Sequence, residues 1–179
     1  MDELFRLDYY RMTGKPYHHS IRTIVQCLFS HQIRYMKWWR KYKQSPRLLY
    51  RIILKRYAMK YGLEISASAE IGKGLYLGHP YNITVGGGAI LGNNVNLHKG
   101  CTIGRENRGK RQGIPQIGNY VSIGINATVV GNIKIGDDVL IAPNSFVNFD
   151  VPPHSVVIGN PGVIHTKEHA TKSYIGFCV

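Results

Sequence analysis

The sequence predicts a mainly β fold, a parallel β-solenoid preceded by an α-helical segment, on three observations. First, apolar residues recur every six positions: Ile65, Ile71 and Leu77, then Val85, Leu91, Leu97 and Ile103, then Ile117, Ile123, Val129, Ile135, Ile141 and Val147. Second, Gly directly follows eight of these thirteen residues, and a small or aliphatic residue usually stands four beyond, as at Ala69, Ala89, Cys101 and Ala127. Third, composition changes near Gly62: residues 1–63 hold 14 of the 23 Lys and Arg, eight of the 12 Tyr and both Trp.

A sustained period of six belongs neither to a helix nor to a plain strand. A short strand followed by a turn produces it, with the apolar residue inward and the Gly or Asn beside it accepting the turn's backbone angles. Three such rungs close one triangular coil of about 18 residues. Thirteen rungs give a little over four coils. The register slips twice, between Leu77 and Val85 and between Ile103 and Ile117. The longer insertion, within 105–116, has to leave the wall as a loop, and loops on solenoids commonly carry function.

The first half reads as helical. Arg47 to Tyr61 places Leu48, Ile52, Ile53, Tyr57 and Met59 among basic residues, an amphipathic pattern. Ser45-Pro46 is its start signal and Gly62 its stop. Ile21 to Lys43 reads as one or two helices and residues 3–12 as a short one. The organisation is thus an N-terminal segment 1–63, a solenoid 64–164 and a tail 165–179.

At 179 residues, the chain suits one domain with a modest extension. Its 44% hydrophobic and 18% charged content excludes a disordered or fibrous chain. No run approaches the roughly 18 apolar residues of a membrane span, and the acidic start Met1-Asp2-Glu3 lacks the apolar stretch of a secretory signal. Cys27, Cys101 and Cys178 offer neither a disulfide framework nor zinc spacing. The expected compartment is the cytoplasm. A net charge of +13 raises nucleic-acid binding as a reading, but no recognition motif accompanies it and none is expected.

Particular stretches carry a resemblance: Glu64-Ile65, Ala69-Glu70-Ile71-Gly72, Leu77-Gly78-His79, Gly131-Asn132-Ile133-Lys134-Ile135-Gly136, Val151-Pro152-Pro153-His154-Ser155 and Gly159-Asn160-Pro161. From about Glu64 to Ile164 the chain resembles the hexapeptide-repeat, left-handed β-helix acyltransferases, in their serine acetyltransferase branch. From Leu48 onward, with the loop text Arg105-Glu106-Asn107-Arg108-Gly109-Lys110-Arg111, it is also similar to O-acetyltransferases of surface polysaccharide synthesis. The resemblance implies acetyl transfer from acetyl-CoA without a metal, and a homotrimer with its sites between neighbouring solenoids. It implies His79 as the catalytic base and Glu64, where the family usually has Asp, as its acidic partner. Ile125, Pro143 and Asn148 match pantetheine contacts. Gly104 and Arg105 fall on the coenzyme side, and Arg108, Arg111 and Ile114 on the acceptor side.

The residues themselves support His79, which stands at the start of the first register slip, where a side chain can be re-aimed. An imidazole suits proton removal from an alcohol, although a structural turn histidine is the alternative. Glu70 is a less favoured partner than Glu64. His98 follows Leu97, where Gly usually sits, and reads as an exposed turn or interface residue rather than a second base. The remaining histidines, His18, His19, His31, His154, His165 and His169, read as surface residues.

The family pattern is broken in places. Gly78 replaces the Asp that usually precedes the catalytic His, and Gly113-Ile114 replaces an Arg-His pair in the loop. Phe149 and Val163 hold places that are usually cationic, which leaves Arg105, Arg108, Lys110, Arg111, Lys167 or Lys172 for the CoA phosphates. An amino acid's charged groups need charged partners. The expected acceptor is therefore a sugar hydroxyl in glycan biosynthesis, with L-serine in cysteine biosynthesis as the alternative and a non-catalytic scaffold as the alternative of another class. The cationic aromatic run Arg34 to Lys43 suggests a peripheral membrane contact, or else packing on the solenoid.

Overall fold

The computed structural model describes residues 3–179. Four helices come first: α1 (Glu3–Thr13), α2 (Ile21–Phe29), α3 (His31–Gln44) and α4 (Leu48–Tyr61). The solenoid follows with three faces of parallel strands. Face I stacks Glu64–Ile65, Thr84–Val85, Thr102–Gly104, Thr128–Val130 and Phe146–Val147. Face II stacks Glu70–Ile71, Ile90–Leu91, Gln116–Ile117 and Lys134–Ile135. Face III stacks Tyr76–Gly78, Asn96–His98, Ser122–Ile123, Val139–Ile141 and Ser155–Ile158, and an antiparallel strand Val163–Thr166 closes its edge. The five strands of face I make about five coils, one more than the rung count implies, because the last coil closes on strands outside the six-residue text.

All thirteen periodic residues are buried, and Ile103, Ile123 and Val129 are wholly inaccessible. Each fills the prism beside its neighbours in the coils above and below, which makes the interior one continuous apolar column.

The corner between faces III and I carries a ladder. Asn82 N–H donates to Tyr61 O, Gly100 N–H to Tyr81 O, Asn126 N–H to Lys99 O and Asn144 N–H to Ile125 O, at 2.8–2.9 Å. Gly62, Asn82, Gly100, Asn126 and Asn144 all adopt left-handed backbone. Helix α4 ends directly into this column, with Gly62 as its C-cap at φ 63°. A Cβ at Gly100 would lie 2.0 Å from the Asn126 side-chain oxygen, so a side chain there requires Asn126 to turn away.

The helices cap the first coil. Arg40 forms a two-pronged ion pair with Asp8, Nε to Oδ2 at 2.8 Å and Nη2 to Oδ1 at 3.1 Å. Its other donors reach Ile71 O and Gly72 O, while Asp8 also accepts from Leu75 N–H at 3.0 Å. Trp39, Met36 and Tyr35 are buried beside this pair. The aromatic run 34–43 therefore packs on the solenoid instead of facing outward. His31 is also half-buried, stacked on Tyr61 at 4.6 Å, and burial lowers its pKa. The amphipathic reading of α4 is corrected too: Leu48, Ile52 and Met59 are exposed, and no residue of this helix is fully buried. Tyr57 packs inward as its place in the pattern predicts, and Leu54, outside that pattern, packs beside it.

The tail 167–179 folds back along face III. Asp138 accepts from Thr171 N–H, Thr171 Oγ1 and Ala170 N–H, and pairs with His154 at 2.9 Å. Further along, Asn96 Nδ2 donates to Tyr174 O and Asn94 Nδ2 to Val179 O.

Two predictions follow from these contacts. Asp8→Asn or Arg40→Met strands a buried charge, so each lowers unfolding stability by about 3–5 kcal/mol, measured by urea titration. The second concerns Asp138. Its partial burial raises the pKa, but the His154 and Thr171 hydrogen bonds outweigh that and hold it below the ordinary carboxylate value. The clasp is therefore complete above about pH 4 and is lost as pH falls through the lowered folded-state pKa. Cleavage of the tail in limited proteolysis rises progressively as the pH is taken below about 4, and Asp138→Asn makes the tail labile at pH 7.

Candidate active site

His79 occupies the enlarged turn between faces III and I. The regular turns at this corner hold one left-handed residue each; this one holds two, Asn82 in the column and His79 at φ 48°. The two extra residues thus create an additional kink, and the His79 side chain is exposed on it. Left-handed non-Gly residues also occur at regular turns of this solenoid, such as Asn82, Asn126 and Asn144; His79 is set apart because it is a second one within a single turn. The turn is braced from below by Tyr81, which contacts Tyr61 and His31.

The same corner carries Ile125 and Pro143, both exposed, two and three coils above His79. At about 4.8 Å per coil, Pro143 stands roughly 14 Å along the corner from the imidazole. Gly104, Arg105 and Asn148 lie elsewhere, at the corner between faces I and II. Face I therefore separates the two sets of coenzyme candidates within one chain.

The loop also leaves from the corner between faces I and II. It is a tight hairpin in which Glu106 and Gly113 exchange both backbone hydrogen bonds at 2.9 Å. Asn132 N–H donates to Arg111 O and ties the loop back to the wall. Ile114 is half-buried over Gly86 and Gly88 of its own solenoid. Arg105, Arg108 and Arg111 are exposed and form no ion pair among the described residues. The Glu106 carboxylate instead accepts from Asn107 N–H and Arg108 N–H.

Glu64 projects from the foot of face I, directly below Thr84. It lines a cavity of about 600 Å³ under α4 with Tyr35, Arg51 and Lys55. No hydrogen bond joins Glu64 to His79.

His98 differs from its reading as an exposed turn residue. It is half-buried on face III, paired in register with Gly78 and 6.1 Å from the Tyr76 ring. Its ring covers Gly78: a Cβ there would lie 2.5 Å from His98 Nδ1. Burial, and secondarily the nearby His79, lower the pKa of His98, so its imidazole is neutral at physiological pH. A sequence signal for this pair existed in the 20-residue offset that stacks one coil on the next across the first slip, but it depends on that slip being exactly two residues. Arg11, Asn96 and Tyr174 gather on the same side without any sequence signal, since they are brought together from helix, solenoid and tail.

Residues 114–148 match the family model described as bacterial transferase hexapeptide (six repeats). A serine acetyltransferase of Staphylococcus aureus is 37% identical over 142 residues, covering 78% of this chain and 64% of that protein. Serine acetyltransferase 4 of Arabidopsis thaliana is 37% identical over 120 residues, 67% of this chain and 34% of its own length. Among solved structures, a Neisseria gonorrhoeae serine acetyltransferase in complex with serine superposes with TM-score 0.75 at 28% identity, over 92% of this chain and 68% of the other. Soybean serine acetyltransferase complexed with serine gives TM-score 0.70 at 30% identity, over 90% and 67%. The chain belongs to the hexapeptide-repeat, left-handed β-helix acyltransferase family. It spans about a third of the Arabidopsis relative and just under two thirds of the staphylococcal one.

Proposed function

We propose that the chain is an acetyl-CoA-dependent O-acetyltransferase with His79 as general base. The observation that carries this reading is the extra left-handed turn residue His79, at the foot of the corner that bears Ile125 and Pro143. His79 takes the acceptor's hydroxyl proton as that oxygen bonds the acetyl carbonyl carbon. The carbon–sulfur bond then breaks, and the departing thiolate recovers the proton from the imidazolium. Backbone N–H groups stabilise the oxyanion between these steps. Glu64 is the proposed orienting acid, reaching His79 by rotation of its longer arm. The exposed cations Arg105, Arg108 and Arg111 suit the coenzyme phosphates. His79 and the loop lie at opposite edges of face I, so a site that uses both takes the loop from a second copy, which supports a homotrimer.

For the acceptor, the relatives' names support L-serine, and this reading is placed ahead of the sugar hydroxyl that the sequence suggested. A neutral sugar hydroxyl is the second reading, favoured by Gly78 and by Ile114, which lies on the wall where a charged clamp would be needed. Thiol release from acetyl-CoA, measured with L-serine and with a sugar panel, separates the two. His79→Ala lowers the rate by about 10²–10⁴-fold while the circular dichroism spectrum is unchanged. Equal turnover in His79→Ala sinks the base assignment and leaves the transferase reading standing; no thiol release above background from either protein favours the scaffold reading.

We also propose a peripheral contact with an anionic membrane surface, now through α2 instead of the aromatic run. Helix α2 has no acidic residue, and its Ile21, Ile24, Leu28 and Phe29 are 56–84% exposed, with Arg22 among them and Arg47 and Arg51 on α4. No helix among the described residues is long and apolar enough to cross a membrane. Co-sedimentation with phosphatidylglycerol vesicles but not phosphatidylcholine vesicles, abolished by Ile24→Glu with Phe29→Glu, is the expected result. Self-association that these substitutions remove, without vesicle binding, overturns it.

A further inference from the structure

The turn that carries His79 has to hold an exposed side chain in one place, although the next residue, Pro80, is buried. Its backbone is closed by Tyr81 N–H, which donates to His79 O at 2.7 Å across Pro80. A closure over three residues is a γ-turn with a single hydrogen bond, and the proline ring fixes its central φ. The orientation of the Pro80–Tyr81 peptide therefore sets where His79 stands.

A side chain from the helical segment meets that peptide. His31, the first residue of α3, stacks on Tyr61 at 4.6 Å between centroids and lies 5.1 Å from the Tyr81 ring. The Pro80 carbonyl, the other end of the same peptide, acts on the His31 ring as a hydrogen-bond acceptor. Burial lowers the pKa of His31, the Pro80 carbonyl raises it in part, and the nearby Arg34 and Lys60 lower it further. The ring is thus neutral at physiological pH and has one N–H to give. Its Nε2 is buried without a hydrogen-bond partner among the described residues. Such an atom costs stability. An apolar side chain of similar size would fill the space without that cost, so the imidazole is explained by what its N–H does.

The support behind His31 is firm. One turn along α3, Tyr35 OH accepts from Ile65 N–H at 2.9 Å, and Trp39 Nε1 donates to Ile65 O at 3.2 Å. Helix α3 is thereby pinned to the first strand of face I. Tyr61 O accepts from Asn82 N–H at 2.9 Å, so the ring under His31 belongs to a residue that also holds the far end of the turn.

We infer that His31 is a positioning residue for His79: its N–H holds the Pro80 carbonyl, its face seats Tyr81, and the turn closed by Tyr81 presents the base at a fixed angle. The inference rests on the acetyl-transfer reading and deepens it. The action passes through the turn, so it is felt in the transition state and not in the binding of either substrate.

The test uses the full chain and three substitutions. His31→Leu removes ring and nitrogens, His31→Phe keeps a stacked ring, and His31→Gln keeps a side-chain N–H. Thiol release from acetyl-CoA is measured with whichever of L-serine and the sugar panel the unaltered protein uses. In His31→Leu and His31→Phe kcat falls about tenfold, while the KM for acetyl-CoA and for the acceptor stay within about twofold. His31→Gln recovers most of the loss. Amide hydrogen exchange, followed by NMR without substrates, is at least about tenfold faster at Tyr81 in His31→Leu and His31→Phe, and unchanged at Asn126 two coils above. Thermal melts show which variants fold; should His31→Leu misfold, His31→Phe and His31→Gln carry the test. A full rate in His31→Phe, a loss carried by KM, or unaltered exchange at Tyr81 overturns the positioning role and leaves the transferase reading intact. No thiol release from the unaltered protein with any acceptor overturns the transferase reading, while the exchange arm still decides whether His31 holds the turn.

Discussion

The structure depends on one packing constraint. Every six residues, one aliphatic side chain must enter a prism whose walls lie about 10 Å apart or less. Ile65 to Val147 meet it thirteen times, and each buried residue is seated by those one coil above and below. Inserted residues cannot be absorbed by such a column, because a slipped register would turn polar residues inward. They are expelled at the corners. The two slips in the sequence are for this reason the two irregular features of the surface: the kinked turn at His79 and the hairpin loop 105–113.

An open-ended solenoid leaves its first coil's backbone and apolar interior uncovered, and the helical segment is built to close it. Asp8 and Arg40 satisfy Ile71 O, Gly72 O and Leu75 N–H at that end, while Trp39, Met36 and Tyr35 seal the interior. The basic, aromatic composition of the first half thus serves two surfaces. One side of the helices is a cap on the solenoid. The other, on α2 and part of α4, keeps its apolar residues exposed and free of acids.

Function sits where these parts meet. The proposed base, His79, stands on the kink, the coenzyme candidates flank face I, and the tail completes a cavity with α1 and face III. The acceptor reading rests on two sources: the relatives that match are serine acetyltransferases, whereas Gly78 and Gly113-Ile114 lack the charged side chains that an amino acid's groups would pair with.

The periodicity alone determined the solenoid, its core and the positions of both insertions, since burial of a period-six column is a local rule that repeats. It also determined α4's end at Gly62, where a left-handed residue is needed both by the helix and by the first corner. Which helical face is buried was only partly legible: Tyr57 packs as the pattern predicts, yet Leu48, Ile52 and Met59 are exposed and Leu54 packs, because the first coil's shape selects the face. His79 could be singled out because a register slip is visible in the text. The setting of His98 against Gly78 was legible only through the exact length of that slip, which stacks the two 20 residues apart. The meeting of Arg11 with Asn96, Tyr174 and Gly176 was not legible: it joins residues up to 165 positions apart and needs both the docking of α1 and the return of the tail along face III.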